Sequence, residues 1–244
     1  MIRSFLALVA LTSCFLGSAQ AAEVKALVST AMKTSVEILK AQFEQKTGHT
    51  VTIEYGLSGN LTKRIVAGEA VDCAILGGEG VNDLVISGKL APDSALEVAS
   101  SMIGAAVPRG APRPDISTEE KFRAVLENAK SVAYSASASG TYLSTELFQR
   151  LGVAEQMKGK ATKIYSERVG AVVLRGDAEI GFQQVSELLP FKELQFVGAL
   201  PDEVQQRVFF SAGVATGSPG PEAARHLIRF LAAPAAAAIV RSTG

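Results

Sequence analysis

The stretch that decides the fold reads Tyr55-Gly56-Leu57-Ser58-Gly59-Asn60-Leu61-Thr62-Lys63-Arg64-Ile65. A β-type run, Val51–Tyr55, ends here in a glycine-rich turn that leads into a short helix, which we place at Leu61–Ala67. The first N–H groups of a helix have no partner within it and lie at the positive end of its dipole, so this turn suits an anion. Ser58 and Gly59 are the candidate contacts. Taken alone, the turn fits equally well a plain connection in which Ser58 only caps the helix.

Two further units of the same kind flank this stretch. Ala26–Ser29 is a strand-type run before a helical pattern at Ser35–Lys46, and Cys73–Leu76 is a buried-strand run that ends in glycines. Three β-then-α units in succession predict a parallel sheet with helices on both faces. Ligands of such sheets bind at the carboxyl ends of the strands, where Ser29 and Ser58 both fall.

The pattern changes after this first unit. Leu96–Val107 is extended and is followed by prolines, so we predict a strand that leaves the first lobe. A capping box, Ser117-x-x-Glu120, then opens a helix. Ser131–Tyr134 is a strand, and the small-residue turn 137–141 after it precedes a helix that we place at Tyr142–Leu151. This second turn repeats the chemistry of the first.

Two late extended runs, Leu194–Val197 and Val208–Ala215, can carry the chain back to the first lobe. The sequence therefore predicts an α/β protein of two lobes joined by two crossing segments, with a hinge and a ligand cleft between them. We assign residues 22–100 plus 205–244 to lobe 1 and residues 101–204 to lobe 2.

Residues 1–21 have the features of a cleavable secretory signal peptide: a basic start, an apolar stretch and a small-x-small end at Ala19-Gln20-Ala21. An alternative is a lipoprotein signal with Cys14 as the lipidated residue, which we rank second because the apolar run continues beyond the cysteine. Either alternative implies export, and we expect a periplasmic protein.

The composition excludes several function classes. Lys+Arg and Asp+Glu are balanced at 24 each, and no second apolar span follows the leader, so we expect neither a nucleic-acid partner nor a membrane span. No nucleophile elbow, phosphate-binding loop or metal-ligand cluster is present, so we expect no metal and no cofactor. His49 and His226 lack triad partners, and Cys73 lies in an apolar run where a buried inert thiol is the default.

The informative pattern consists of hydroxyls, amides and N–H groups at four turns. Each of them alone is more often a cap than a ligand contact, but together they describe a neutral cleft that binds a compact anion by hydrogen bonds. The candidates at these turns are Ser29, Thr30, Ser58, Gly59, Ser139, Gly140, Thr141, Gln183 and Gln184.

The whole chain after the leader resembles the periplasmic molybdate-binding proteins of ABC importers and their relatives in the type II solute-binding superfamily. The resemblance implies that hydroxyls at Ser29 and Ser58, with backbone N–H groups of the second lobe, hold an oxyanion. The motifs that carry it are Ser29, Phe43-Glu44-x-x-Thr47-Gly48, Gly56-x-Ser58-Gly59, Gly68-Glu69-x-x-Asp72, Gly140 before Arg150-Leu151-Gly152, and Gly176-Asp177-Ala178-Glu179-x-Gly181-Phe182.

One departure weakens molybdate as the ligand. The molybdate binders usually place a tyrosine after the Gly-Phe pair, whereas this chain has Gln183-Gln184, whose carboxamides suit a carboxylate. Arg168 is a candidate bidentate clamp for such a carboxylate, and a solvated helix terminus is the equal alternative. The altered pattern also resembles a side branch of the superfamily, the periplasmic aconitate isomerases. For that chemistry we nominate Glu79 as acid/base, with Tyr142 as a distant second.

Our leading hypothesis from the sequence is a monomeric binding protein that captures a small anion, an oxyanion or an organic carboxylate, for an ABC importer. An isomerase of aconitate on the same fold is the alternative, and a sensory receptor that passes its ligand to a membrane kinase is a weaker third.

Overall fold

A computed structural model of the chain describes residues 21–244. The predicted signal peptide at 1–21 and the alternative at Cys14 therefore lie, apart from Ala21, outside the described residues. Two five-stranded sheets with flanking helices form two lobes, which confirms the predicted α/β class. The assignment of residues 22–100 plus 205–244 to lobe 1 and residues 101–204 to lobe 2 stays a prediction.

The first sheet has the strand order β2-β1-β3-β10-β4. Its strands are β1 (Glu23–Ser29), β2 (Thr50–Gly56), β3 (Cys73–Gly77), β4 (Leu96–Ser101) and β10 (Val208–Val214). The three predicted β-α units supply β1, β2 and β3, which are parallel, while β10 runs antiparallel to both of its neighbours. The helices of this lobe are α1 (Lys33–Thr47), α2 (Ser58–Val66), α3 (Gly80–Ile86), α10 (Pro221–Ala232) and α11 (Ala237–Thr243).

The second sheet has the strand order β7-β6-β8-β5-β9. Its strands are β5 (Ile103–Pro108), β6 (Val132–Ser135), β7 (Ala161–Ile164), β8 (Ile180–Gln184) and β9 (Leu194–Ala199). β6 is parallel to β7 and β8, and β5 is antiparallel to β8 and β9. Its helices are α4 (Glu119–Asn128), α5 (Ala138–Tyr142), α6 (Phe148–Arg150), α7 (Ala154–Lys158), α8 (Val169–Leu174) and α9 (Val185–Leu188), with a π-helical turn at Leu143–Leu147 joining α5 to α6.

The chain crosses between the lobes twice, and one side chain ties the two crossings together. The first crossing is at Met102, which divides the extended run predicted at 96–107 into β4 of one sheet and β5 of the other. The second lies between β9 and β10 and contains Gln205. Its carboxamide accepts from the N–H of Ile103 at 2.8 Å and donates to the carbonyl oxygens of Ile103 (3.0 Å) and Leu200 (3.1 Å). This satisfies backbone groups that leave the sheet at the hinge.

Each sheet is covered on both faces by apolar helix surfaces. In α10, Ala224, Leu227, Ile228 and Leu231 recur at helical spacing and are all buried. Full burial of a leucine or isoleucine side chain stabilises the fold by about 1.5–3 kcal/mol. Within residues 21–244 no single helix is long and apolar enough to span a membrane; the bent pair Pro221–Ala232 and Pro234–Thr243 meets the length and composition test only when its two helices are taken together.

Several helices begin earlier or later than the sequence predicted. The predicted capping box is wrong by one residue, because the N-cap of α4 is Thr118, whose hydroxyl accepts from the N–H of Lys121. More important for the cleft, α2 begins at Ser58 rather than Leu61 and α5 at Ala138 rather than Tyr142. The small residues of both turns therefore lie in the first helical turn, where N–H groups are free of intrahelical partners.

Candidate functional site: a cleft between the lobes

A small cleft lies where strand ends of the two sheets face each other. The cavity within it is about 10 Å³, room for about one water molecule, so the lobes must move apart to admit a larger ligand. Both lobes contribute to its walls, and most of the polar side chains are hydroxyls or amides. The lining residues are Ser29, Thr30, Ala31, Leu57, Ser58, Gly77, Ser137, Ala138, Gln184, Glu187, Val208 and Phe210.

The wall from lobe 1 contains the predicted serines. Ser29 is buried at the end of β1, and Thr30 follows it in a 3-10 turn. The Oγ of Ser58 accepts a hydrogen bond from the backbone N–H of Gly77 at 2.9 Å, which ties the start of α2 to the end of β3. Gly59, in contrast, is exposed and does not line the cleft. Of the two predicted contacts at this turn, the structure places only Ser58 in the wall.

The wall from lobe 2 is organised by serine hydroxyls around one glutamine. Ser139 is fully buried, and its Oγ donates to the Oε1 of Gln184 at 3.1 Å. Ser137, in the lining, lies 2.5 Å from the hydroxyl of Ser135, which in turn is 3.1 Å from that of Ser139. Because the oxygen of Gln184 is held by Ser139, its amide nitrogen is the part left for the cleft. Thr141 is exposed and lies outside the lining.

The structure explains why position 140 is a glycine, which the sequence did not reveal. A Cβ at this position would lie 1.6 Å from the carbonyl oxygen of Ser135, so only glycine fits where α5 approaches the end of β6. The approach holds the first turn of α5 against the strand. Gly140 therefore shapes the wall from behind rather than contacting the cleft.

Gln183 and Arg168 lie beside the cleft. The Oε1 of Gln183 accepts from the N–H of Val169, the first residue of α8, at 2.9 Å, and the side chain is fully buried. Arg168, at the N-cap of α8, donates from Nη2 to the carbonyl oxygen of Thr30 at 3.4 Å. This bond joins the two lobes, a role that the sequence did not indicate for Arg168.

Glu187 is the functional candidate that sequence reasoning missed. It lines the cleft from α9, is only 2 % exposed, and is the one carboxyl among the twelve lining residues. Burial raises the pKa of its carboxyl to about 7, against the smaller opposing effects of the Arg168 charge and the nearby Gln183 side chain. The sequence feature that could have identified Glu187 is its position three residues after Gln184, in the first turn after a strand end. Its apolar neighbours Val185, Leu188 and Leu189 made this segment resemble a core helix.

The two residues nominated for acid/base chemistry lie elsewhere. Glu79 is exposed at the start of α3, where its carboxylate accepts a weak hydrogen bond from Asn82, and it does not line the cleft. Tyr142 is buried in the lobe 2 core, with its hydroxyl donating to the carbonyl oxygen of Val204 at 3.1 Å. Neither reaches the lining, so Glu187 replaces both as the candidate.

The two histidines and the cysteine singled out in the sequence make packing contacts outside the cleft. His49 stacks on Phe43 at a centroid distance of 5.7 Å, and His226 meets the same ring edge-on at 5.2 Å. Burial raises the pKa of the Cys73 thiol to about 12, which keeps it protonated and inert. Within residues 21–244 no group of three or more His, Cys, Asp or Glu side chains is arranged to hold a metal.

Two mixed α/β lobes, two crossing segments and a polar cleft between strand ends define a type II periplasmic-binding-protein fold. A model of the bacterial extracellular solute-binding protein family matches residues 24–244, and the chain belongs to this family of ABC-transporter solute-binding proteins.

Two characterised relatives differ in what they do. The chain is 42% identical to an aconitate isomerase of Pseudomonas sp over 184 residues, which cover 75% of this chain and 70% of that protein. It is 24% identical to the molybdate-binding protein ModA of Azotobacter vinelandii, covering 93% of this chain and 91% of that protein.

Solved structures agree on the fold. The periplasmic molybdate-binding protein of Azotobacter vinelandii superposes with a TM-score of 0.76 at 20% identity, covering 91% of this chain and 97% of that one. The sulfate-binding protein SubI of Mycobacterium tuberculosis superposes with a TM-score of 0.75 at 15% identity, covering 91% of this chain and 86% of that one. At these identities the likeness speaks for the fold alone.

Proposed function

We propose that this protein binds a small tricarboxylate of the aconitate type in the interlobe cleft and isomerises it by moving a proton between two carbons. The observation that carries the proposal is the lining of the cleft: hydroxyl and amide donors from both lobes surround a single buried carboxyl, Glu187. The donors suit the ligand's carboxylates, and the carboxyl supplies a group that can carry a proton.

Gln184 favours a carboxylate over a tetrahedral oxyanion. Its oxygen is occupied by Ser139, so its amide has N–H donors left for the cleft. Ser29, Thr30, Ser58 and Ser137 add hydroxyl donors around the same space. Several separate donors on opposite walls match a ligand whose carboxylates point in different directions.

Glu187 favours a reaction over passive binding of an oxyanion, because a buried carboxyl with a pKa of about 7 can both accept and return a proton near neutral pH. The identity of 42% to an aconitate isomerase, against 24% to ModA, supports the same choice.

A second candidate is a periplasmic binding protein that delivers an organic acid to an ABC permease. The contact of Arg168 with Thr30 favours it, because it links the lobes across the cleft as ligand capture by hinge closure requires. In both candidates the protein acts as a periplasmic monomer. The two candidate functions differ only in whether the ligand is released chemically changed.

A thermal-shift comparison of cis-aconitate, trans-aconitate, citrate, molybdate and sulfate at equal concentrations tests the ligand class. We expect the aconitates to raise the melting temperature most, since a ligand at 100 times its Kd stabilises the folded state by about 2.7 kcal/mol. Proton NMR of each aconitate isomer incubated with the protein tests the reaction. Conversion supports the isomerase, stabilisation without conversion supports delivery, and a shift only with molybdate or sulfate contradicts both.

A further inference from the structure

We infer that Glu187 is the single acid/base of the cleft, which takes a proton from one carbon of the ligand and returns it to another. This assignment rests on the proposed function and gives its chemistry one named group. It replaces the exposed Glu79, which does not reach the lining.

The cleft offers no second group of this kind among its lining residues. The other eleven are serines, a threonine, a glutamine, a glycine and apolar residues, none of which titrates near neutral pH. Proton removal and proton return must therefore use the same carboxyl. Because Glu187 lies on one wall, both events take place on one face of the ligand.

The charged surroundings of Glu187 are sparse. β5, β8, α8 and the 3-10 turn Thr30–Met32 pack against α9 and contain no charged side chain. The terminal residue Gly244, whose carbonyl oxygen accepts from the hydroxyl of Ser101, also lies against the backbone of Ser186 in α9. Arg168 precedes α8 and is the positive charge that acts on the carboxyl. Lys33 follows the turn, but its Nζ lies over the ring of Tyr55, 5.2 Å from the centroid.

Gln183 lies beside this carboxyl. Its Oε1 accepts from the N–H of Val169, and its amide nitrogen is buried without a hydrogen-bond partner among residues 21–244. The nearby amide holds the pKa of the Glu187 carboxyl below the value that burial alone would give. Near neutral pH both the carboxylate, which accepts the proton, and the acid, which returns it, are populated.

The reaction balances without another reactant. The carboxylate of Glu187 removes a proton from the methylene carbon of aconitate, so a C–H bond breaks and an O–H bond forms, while the electron pair spreads over the allylic system. The O–H bond then breaks, and its proton bonds to the carbon at the other end of that system. The double bond has moved by one carbon, and Glu187 is again a carboxylate.

The test compares Glu187→Gln with Glu79→Gln, which removes an exposed carboxyl outside the cleft. We expect Glu187→Gln to lower kcat for aconitate isomerisation by about 100-fold or more, the usual contribution of a general acid/base, and to keep an aconitate-induced thermal shift. Glu79→Gln should keep the wild-type kcat. If Glu187→Gln stays within about tenfold of wild-type kcat, the assignment is overturned while the proposed function stands.

The pH profile of the wild-type protein is an independent measurement that does not depend on a variant folding. We expect kcat/KM to fall as the pH drops below about 7, because Glu187 becomes protonated in the free protein. A flat profile from pH 5 to pH 9 would contradict the assignment. If the wild-type protein neither binds nor converts aconitate, it is the proposed function that fails, and this assignment falls with it.

Discussion

The hydroxyl of Ser58 accepts a hydrogen bond from the backbone N–H of Gly77, with 2.9 Å between the two heavy atoms. The bond joins the first turn of α2 to the end of β3, two elements that both border the cleft. Accepting uses an oxygen lone pair, so the hydroxyl hydrogen is still available to a ligand. Ser58 is therefore placed to hold the wall together and to donate to the ligand at once.

Replacing Ser58 with alanine removes both interactions. We expect the Kd for aconitate to rise about 10- to 100-fold, because a hydrogen bond to a charged group is worth about 1.5–3 kcal/mol. Isothermal titration measures the change. Ser87→Ala is the matched control, since Ser87 is an exposed serine whose hydroxyl bonds to carbonyls of its own helix. Equal affinities of the two variants would remove Ser58 from the site.

Most of the architecture could be predicted because it depends on local patterns. The alternation of apolar runs with helical patterns located β1, β2 and β3, and α1 ends where Gly48 takes a positive φ. The antiparallel insertion of β10 beside β3 could not be predicted in the same way. It is a pairing between residues more than 130 positions apart, and no local signal encodes it.

The site was only partly predictable for a related reason. Polar residues at strand ends, such as Ser29 and Gln184, are visible in a sequence because the carboxyl edge of a sheet collects them. Glu187 was not, because its importance comes from burial between two lobes, which raises its pKa, and burial depends on the tertiary fold. Glu79 has the same side chain at a strand-end turn, but it points to solvent.

Arg168 is expected to act on the cleft through its charge. Arg168→Gln removes the positive neighbour of Glu187, so the pKa of that carboxyl rises and the acid limb of kcat/KM moves to higher pH, by about 0.5 to 1 unit. Steady-state rates across pH 5–9 measure the limb. Arg175→Gln is the control, because Arg175 lies at the other end of α8 and pairs with Glu167 in solvent. A limb that stays in place in Arg168→Gln would show that the charge does not reach Glu187.

Ser139 is expected to affect the affinity for the ligand through Gln184, without contacting the ligand itself. In Ser139→Ala the Oε1 of Gln184 loses its buried donor, the amide is free to rotate, and the Kd for aconitate should rise about 5- to 10-fold, in line with a net hydrogen-bond contribution of about 1 kcal/mol. Ser139→Thr keeps the hydroxyl and should recover part of the affinity. Titration calorimetry on both variants decides the matter, and an unchanged Kd in Ser139→Ala contradicts the positioning role.

Gly140 should be intolerant of a side chain. Gly140→Ala places a Cβ 1.6 Å from the carbonyl oxygen of Ser135, so α5 must move away from β6, and we expect a loss of several kcal/mol in the free energy of unfolding, at the upper end of single substitutions. Gly159→Ala is the control, since nothing lies within 4 Å of its Cβ position and its φ of −89° suits alanine. Urea unfolding of the two variants gives the comparison, and similar midpoints would contradict the close approach.

Glu187 should make the stability of the protein depend on pH. Its carboxyl has a pKa of about 7 in the folded chain against an ordinary value of 4.5, so between these values the folded state binds more protons than the unfolded state. The free energy of unfolding therefore falls as the pH rises through this window. Glu187→Gln removes the titration.

The variant should match wild type near pH 4.5 and exceed it by about 3 kcal/mol above pH 7, since each pKa unit corresponds to about 1.4 kcal/mol. Urea unfolding of both proteins at pH 5, 6, 7 and 8 measures the difference, and Glu79→Gln, at an exposed carboxyl, should run parallel to wild type. If the Glu187→Gln curve were also parallel to wild type, the carboxyl of Glu187 would have its ordinary pKa in the folded protein. The cleft would then hold a permanent negative charge, and a group able to return a proton near neutral pH would be missing from it.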